Sequence, residues 1–528
     1  MAKAQLSPIL SEKVQSLSIL VEETTRSTKE AVKFFLEPAA GTLERAKSKR
    51  HHIVFGRRGS GKSSLLTKIY ADHLIARTPC ALVDLEEFKE HSYPDVLVSV
   101  LIKTLHEFKK WLEMPAVAPI SKKSFWNNLS ILSPMKRKIE PDAASRLAEE
   151  LQSEIDSLNM LLFSPEEYER EMKRKFSDTQ KDSAKVNANL KSDIASIGGS
   201  LSSDLSQERT SESIDHYKST KVQALQRGII RYKNLFSRIS DQSKSDTFLL
   251  LDDLYHLRRF DQANVVDYFH KLSKGTNIWL KVGTIRHRST WYRHGNPPIG
   301  MKLGDDAEQI DLDVTLEKYQ TTKSFLIRIL DQLAKDKGVS LSDIMADGAR
   351  DRLVLASGGV ARDFLSLFRR ALDETRERVL SGDLVRGPKM GAEDVNRAAG
   401  AYYEHKTEEL NRDADSNERQ VILDFVQKVR NFCLDKNNPK NCFLVEKDFD
   451  PNQEALVGEL VDLKFAHHAK SRVTVRNREG RIYDAYMLDM SFYTGERTRR
   501  GLDIIEFWKA DNADALRKAG LIFAESTS

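Results

Sequence analysis

The stretch His51 to Tyr70, HHIVFGRRGSGKSSLLTKIY, limits the fold more than any other part of the chain. Residues 56–63 fit G-x-x-x-x-G-K-[ST], a glycine-rich turn that ends in Lys62 and Ser63. Ile53, Val54 and Phe55 before it form a short apolar run of strand type, and Leu65, Leu66 and Ile69 after it fall at helical spacing. A strand, a turn and a helix in that order aim the unpaired N–H groups and positive dipole end of the helix at whatever sits in the turn. The ligand that suits such a turn is a chain of phosphates. Gly56, Gly59 and Gly61 let the backbone close on the anion, and Ser60 and Ser64 extend the cradle. Lys62 would reach the β and γ phosphates, and the Ser63 hydroxyl a Mg²⁺ ion. A nucleotide's phosphates and Mg²⁺ are therefore the expected ligands.

A triphosphate with its metal needs a carboxylate from an adjoining strand, and DTFLLLDDLYHL supplies one. Phe248 to Leu251 is a continuous apolar run, as in a parallel strand covered on both faces, and Asp252-Asp253 closes it. Asp252 is expected on the magnesium side and Asp253 beside the attacking water. In NIWLKVGTIRH, Ile278 to Val282 reads as another buried strand ending at Thr284, a polar residue placed to sense the γ-phosphate. Arg286 and Arg288 follow, as a finger for a neighbouring subunit's site or as plain solvated side chains. CALVDL (80–85) and EQIDL (308–312) complete a parallel sheet, with ligand chemistry at the carboxyl ends of its strands. Asp84 and Glu86 lie near one such end, either as coupling residues or as an ordinary exposed strand end.

With these parts in this order the chain resembles the AAA+ P-loop ATPases, and it is most similar to their origin-recognition and replication-licensing (initiator) clade. The resemblance is carried by the phosphate loop, FLLLDD, KVGTIRHR and ASGGVARDFLSLFRRAL, and covers roughly residues 25 to 400. It implies that Arg362, in the first turn of a helix after Gly358-Gly359, is the second sensor that brings a helical lid onto the γ-phosphate. It implies that the nucleotide is ATP, and that ATP is hydrolysed, slowly where Asp253 stands in place of the family's glutamate, one methylene longer. A double aspartate is also similar to the signal-transducing (STAND) ATPases. In that alternative the chain is a signalling or assembly ATPase, as in bacterial defence, whose tail and insertion bind proteins.

The predicted fold class is α/β: an AAA+-like P-loop sheet with a helical lid, a long, mostly helical insertion and a C-terminal winged-helix-like domain. Boundaries are expected at 1–107 for the N-terminal helices and first half of the core, 108–222 for a charged insertion, 223–314 for the second half, 315–412 for the lid and 413–528 for the tail. Within the insertion, Leu147, Leu151, Ile155, Leu158 and Leu162 form one stripe of an amphipathic helix. Residues 164–219, rich in Ser, Lys, Asp and Glu, suit a hairpin, short helices or a mobile arm facing a protein partner. In the tail, SRVTVRNREGRIYDAYMLD alternates on both sides of a polar turn, which predicts a hairpin.

Charge bears on what the tail touches. The 528-residue chain has 83 Lys and Arg against 78 Asp and Glu, so nucleic-acid contact requires a local patch. Residues 464–500 supply it, with nine Lys or Arg against four acidic residues. Arg472, Arg476, Arg478 and Arg481 are the expected contacts to duplex DNA, with His467, His468 and Lys470 leading from a helix; a basic wing also suits a protein interface. Three cysteines are too few for a disulfide framework or a four-ligand zinc site. No apolar run of membrane-spanning length and no signal-peptide pattern occur, so a cytoplasmic protein is expected, with a homo-oligomer as a further expectation.

Overall fold

The computed structural model describes residues 7–26, 31–114, 140, 142–163, 198–413, 416–476, 478–494, 502–512 and 514–523. The chain opens with α1 (Glu12–Thr24) and α2 (Thr42–Ala46), followed by β1 (His52–Phe55), α3 (Lys62–Ile75), β2 (Cys80–Asp84) and α4 (Asp95–Glu113). Helices α5 (142–163) and α6 (Gly198–Ser243) lead into β3 (Thr247–Asp252), α7 (Arg259–Ser273) and β4 (Ile278–Thr284). A small hairpin, β5 (Tyr292–Arg293) and β6 (Ile299–Gly300), precedes β7 (Glu308–Asp311).

The five long strands form one parallel sheet in the order β2-β3-β4-β1-β7. Alternate residues enter opposite cores, which is why these strands read as continuous apolar runs. Ile53, Phe55, Leu249, Leu251 and Val282 pack under α4, α5, α6 and α7. Val54, Phe248, Leu250 and Ile310 pack with Leu65, Leu66 and Ile69 of α3. The insertion is thus partly structural: Leu147, Leu151, Ile155 and Leu158 of α5 are buried in the first of these cores with Leu225, Tyr232 and Phe236 of α6. The expected arm continues as helix from Gly198, while residues 164–197 lie outside the described residues.

The lid comprises α8 (Tyr319–Asp336), α9 (Leu341–Ile344), α10 (Asp347–Ala356), α11 (Ala361–Leu380) and α12 (Ala392–Asp413). Helix α1 joins it, burying Val14, Leu17 and Val21 among lid residues rather than on the sheet. The tail holds α13 (Ser416–Cys433), β8 (Cys442–Glu446), α14 (Pro451–Asp462), β9 (Ala466–Val473) and β10 (Tyr483–Leu488). Its sheet runs β8-β10-β9, all antiparallel. The hairpin forms where the alternation predicted it. A single helix, α14, separates β8 from β9, where a helix-turn-helix has two in succession. Lid and tail share one continuous core, from Phe364 and Phe368 to Phe443 and Tyr483. No helix among the described residues is long and apolar enough to cross a membrane.

Candidate nucleotide site

The sheet fixes the site because β1 and β3 both end on the same side. The loop after β1 turns into α3 through Gly59 and Gly61, both at positive φ. A Cβ on Gly59 would lie 2.7 Å from Cβ of Arg362, so glycine here lets the loop meet the lid. The backbone N–H of Arg362 donates to the Gly59 carbonyl at 3.1 Å, tying the first turn of α11 to the loop. Between them is a cavity of about 200 Å³ lined by residues 58–64, Glu86, Asp253, Tyr255, His256 and Arg362. Val32, Phe35 and Pro38 from the N-terminal segment and Phe325, Ile329 and Leu333 of α8 give it an apolar wall. A cavity lined both by N–H groups and hydroxyls and by rings and aliphatic carbons has the chemistry of a phosphate site joined to a base site.

Lys62 is buried, and its Nζ donates to the carbonyls of Gly56 (2.9 Å) and Arg57 (3.2 Å). Burial lowers its pKa, while the charges of Asp253 and Asp252 oppose that. Asp252 is buried at the end of β3, accepts a hydrogen bond from the backbone N–H of Asp253 (2.9 Å) and one from the Ser63 hydroxyl. Burial, with Asp253 beside it, pushes the Asp252 carboxyl up to about 7. A hydroxyl and a buried carboxylate in contact are the donor pair that octahedral Mg²⁺ takes in phosphate-loop sites. The Ser60 hydroxyl is buried with no hydrogen-bond partner among the described residues, a polar atom that a phosphate oxygen would satisfy. The chain's own residues therefore fit both ATP and its metal.

Thr284 and Arg286 are not brought into this cavity. Thr284 is fully buried and its hydroxyl meets Ser289. Arg286 stacks on the Phe55 ring at 4.0 Å and faces Gln309 (3.2 Å) and Asp311 (3.6 Å) in a separate groove with His287 and Leu456. Sequence pattern alone misses His256, which lines the cavity from the one-turn helix Leu254–His256, whose position depends on the left-handed backbone of Asp253. It also misses Arg57, whose loop position suggests nothing beyond the motif. Arg57 is buried, donates to Asp313 from its backbone (2.9 Å) and Nε (3.2 Å), and reaches the carbonyls of Val314 (3.0 Å) and Gly358 (3.1 Å).

Gly358 leads on to the tail. A Cβ there would fall 1.9 Å from Nδ1 of His467, so the lid's glycine turn sits directly against β9. His467 Nε2 is 2.7 Å from Asp489, which also pairs with Lys406 of α12 (2.5 Å). Next to Arg362, Asp363 pairs with Lys464 (3.2 Å) and accepts from the Tyr402 hydroxyl (3.3 Å). His467 and Lys464 are thus buried rather than presented outward, and His467, His468 and Lys470 lie on β9 instead of a helix.

The phosphate loop on β1, the strand order β2-β3-β4-β1-β7, the aspartate ending β3 and the arginine entering α11 occur together here. The fold is of the AAA+-like P-loop NTPase type. No family model and no curated protein matches the sequence. Among the solved structures that resemble this chain are two at 12% identity. The ORC1 protein of Aeropyrum pernix in complex with DNA covers 87% of this chain and 91% of its own, with a TM-score of 0.35. A Walker-type ATPase of Pyrococcus abyssi covers 86% and 93%, with a TM-score of 0.38.

Proposed function

We propose that the chain is an ATP-controlled AAA+ switch that sets how its C-terminal winged-helix-like domain engages duplex DNA. One observation carries the reading: Arg362 and Asp363 are adjacent in α11, the first lining the phosphate cavity and the second ion-paired to Lys464 at the root of β9. A lid movement driven by the γ-phosphate through Arg362 therefore pulls on the tail through Asp363. ATP biases the chain by binding the closed lid more tightly than the open one.

In this reading Gly56, Gly59, Gly61, Ser60 and Ser64 hold the triphosphate, Lys62 its β and γ oxygens, and Ser63 and Asp252 the Mg²⁺. The metal, when bound, neutralises charge between those oxygens. The protein is an ATPase, with Asp253 beside the attacking water. Thr284 acts at most through the loop, beside which it pairs with Phe55. Arg286 serves a neighbouring copy in a homo-oligomer, as it points away from its own cavity. Arg472, Arg476 and Arg478 are exposed along the hairpin; Arg481 is also exposed but pairs with Glu446 at 3.0 Å, so it contributes less.

The test is duplex affinity with ATP, with ADP and without nucleotide, across a salt series. The reading expects affinity to fall steeply with salt and to differ between nucleotide states; equal affinities in all three end the switch. A second reading, a signalling or assembly ATPase with a protein-binding tail, is favoured by the single helix between β8 and β9. It expects ATP-dependent oligomers and no salt-sensitive duplex binding.

A further inference from the structure

We propose that Glu86, at the end of β2, is the general base for ATP hydrolysis, with His256 as its positioning residue, and that Asp253 is not the base. This rests on the reading of the cavity as an ATPase site.

Strands β2 and β3 pair in parallel with Asp84 opposite Asp252, so both chains leave the sheet at the same level. Asp84 accepts a hydrogen bond from the backbone N–H of Glu86 at 2.9 Å, and Leu85 is fully buried between them. These two contacts place Glu86 at the cavity, which it lines together with residues 58–64, Asp253 and His256. One oxygen of Glu86, one of Asp253 and one ring nitrogen of His256 all lie within 4.8 Å of one another. His256 Nε2 is 3.8 Å from the Glu86 carboxylate, and its ring lies 4.3 Å from that of Tyr255.

Asp253 is poorly suited to the base role. It sits in left-handed backbone (φ 54°) as the residue that opens the turn Leu254–His256, and its side chain is one methylene shorter than glutamate. Glu86 arrives from the neighbouring strand with the longer side chain, and its half-exposed carboxylate is open to a water between itself and the loop. In the step, a water O–H bond breaks and its proton passes to Glu86. The water oxygen forms a bond to Pγ as the bond from Pγ to the bridging oxygen breaks, releasing ADP and phosphate. His256 holds the Glu86 carboxylate toward that water, and Asp253 accepts a hydrogen bond from the water's second O–H, whose hydrogen stays on the attacking oxygen.

The experiment compares the wild-type chain with Glu86→Gln, Asp253→Asn, His256→Gln and Glu86→Asp, by fluorescent-nucleotide affinity, single-turnover hydrolysis and the nucleotide recovered from the protein after incubation with Mg-ATP. Glu86→Gln is expected to slow turnover by about 100-fold or more while affinity stays within about threefold, so that ATP rather than ADP is recovered. Asp253→Asn and His256→Gln are expected to slow it by about tenfold, and Glu86→Asp to restore part of what Glu86→Gln loses. Glu86→Gln turning over within about threefold of wild type, with Asp253→Asn arrested in the ATP state, overturns the assignment. A wild-type chain that binds ATP and never converts it overturns the ATPase reading as well, and the two failures are told apart by the wild-type rate alone.

Discussion

The nucleotide cavity and the junction between lid and tail both gather charge, and they handle it in opposite ways. In the cavity, burial pushes Asp252 up to about 7 and Lys62 down, and the Ser60 hydroxyl has no partner among the described residues. Each group is held where the bare chain penalises its charge or polarity, which a phosphate and a cation would relieve. At the junction each carboxylate already has its cation: Asp363 has Lys464, and Asp489 has Lys406, with the His467 ring hydrogen-bonded to it. Lys406 and His467 hold Asp489 well below the usual carboxylate range despite full burial. One region is prepared for a ligand's charge; the other balances its own.

The comparison breaks most visibly at Lys464. Lys464→Met leaves the Asp363 carboxylate buried without its cation and is expected to destabilise the chain by about 3–5 kcal/mol. Adding Asp363→Asn removes the stranded charge and is expected to recover most of that loss. Thermal and urea unfolding read both. A single variant as stable as the wild type would mean that the junction carries no balanced charge.

Lys62→Ala makes the opposite case. Removing a buried ammonium relieves a desolvation cost, so unliganded stability is expected to hold or rise, while ATP affinity falls by about 100-fold or more without its charge-assisted hydrogen bonds. Calorimetric titration alongside a melting curve separates the two effects. Loss of stability matching the loss of affinity would make Lys62 a structural residue.

What the sequence made legible follows from how each feature is encoded. The loop from Gly56 to Ser63, β3 with its aspartate and the entry to α11 are local patterns of a few residues, and the sheet, the lid helices and the hairpin formed where those patterns put them. Burial of α1 on the lid was not legible, because an amphipathic helix does not name the surface that receives it. Glu86 and His256 lie far apart in the chain and meet only because β2 pairs with β3. The count of basic residues in the tail misled in part, since composition does not separate Lys464, turned inward to Asp363, from Arg476, exposed on the hairpin.

That distinction sharpens into a smaller effect. Arg476→Ala and Arg478→Ala remove exposed cations, so stability is expected to stay within about 0.5 kcal/mol. For each DNA phosphate that the hairpin no longer neutralises, the slope of log affinity against log salt is expected to shrink by about 0.9. A salt slope unchanged in the double variant would assign the hairpin to another partner.

The smallest effect tests the junction through pH. Burial holds the His467 pKa below its ordinary value, assisted by Lys406 and Arg57 and opposed by Asp489. Because the folded pKa is the lower one, the unfolded chain takes up a proton that the folded chain refuses between that value and about 6.5. The contribution of neutral His467 is therefore complete above about 6.5 and is lost as the pH falls below it. Glutamine at 467 keeps a donor toward Asp489 and does not titrate. The melting temperature of the wild type relative to His467→Gln is thus expected to fall by on the order of 1–2 °C between about pH 7.5 and about pH 5.5. A relative rise on acidification would show that His467 enters the fold as an imidazolium paired with Asp489, and that the junction, like the cavity, depends on a charge taken from solution.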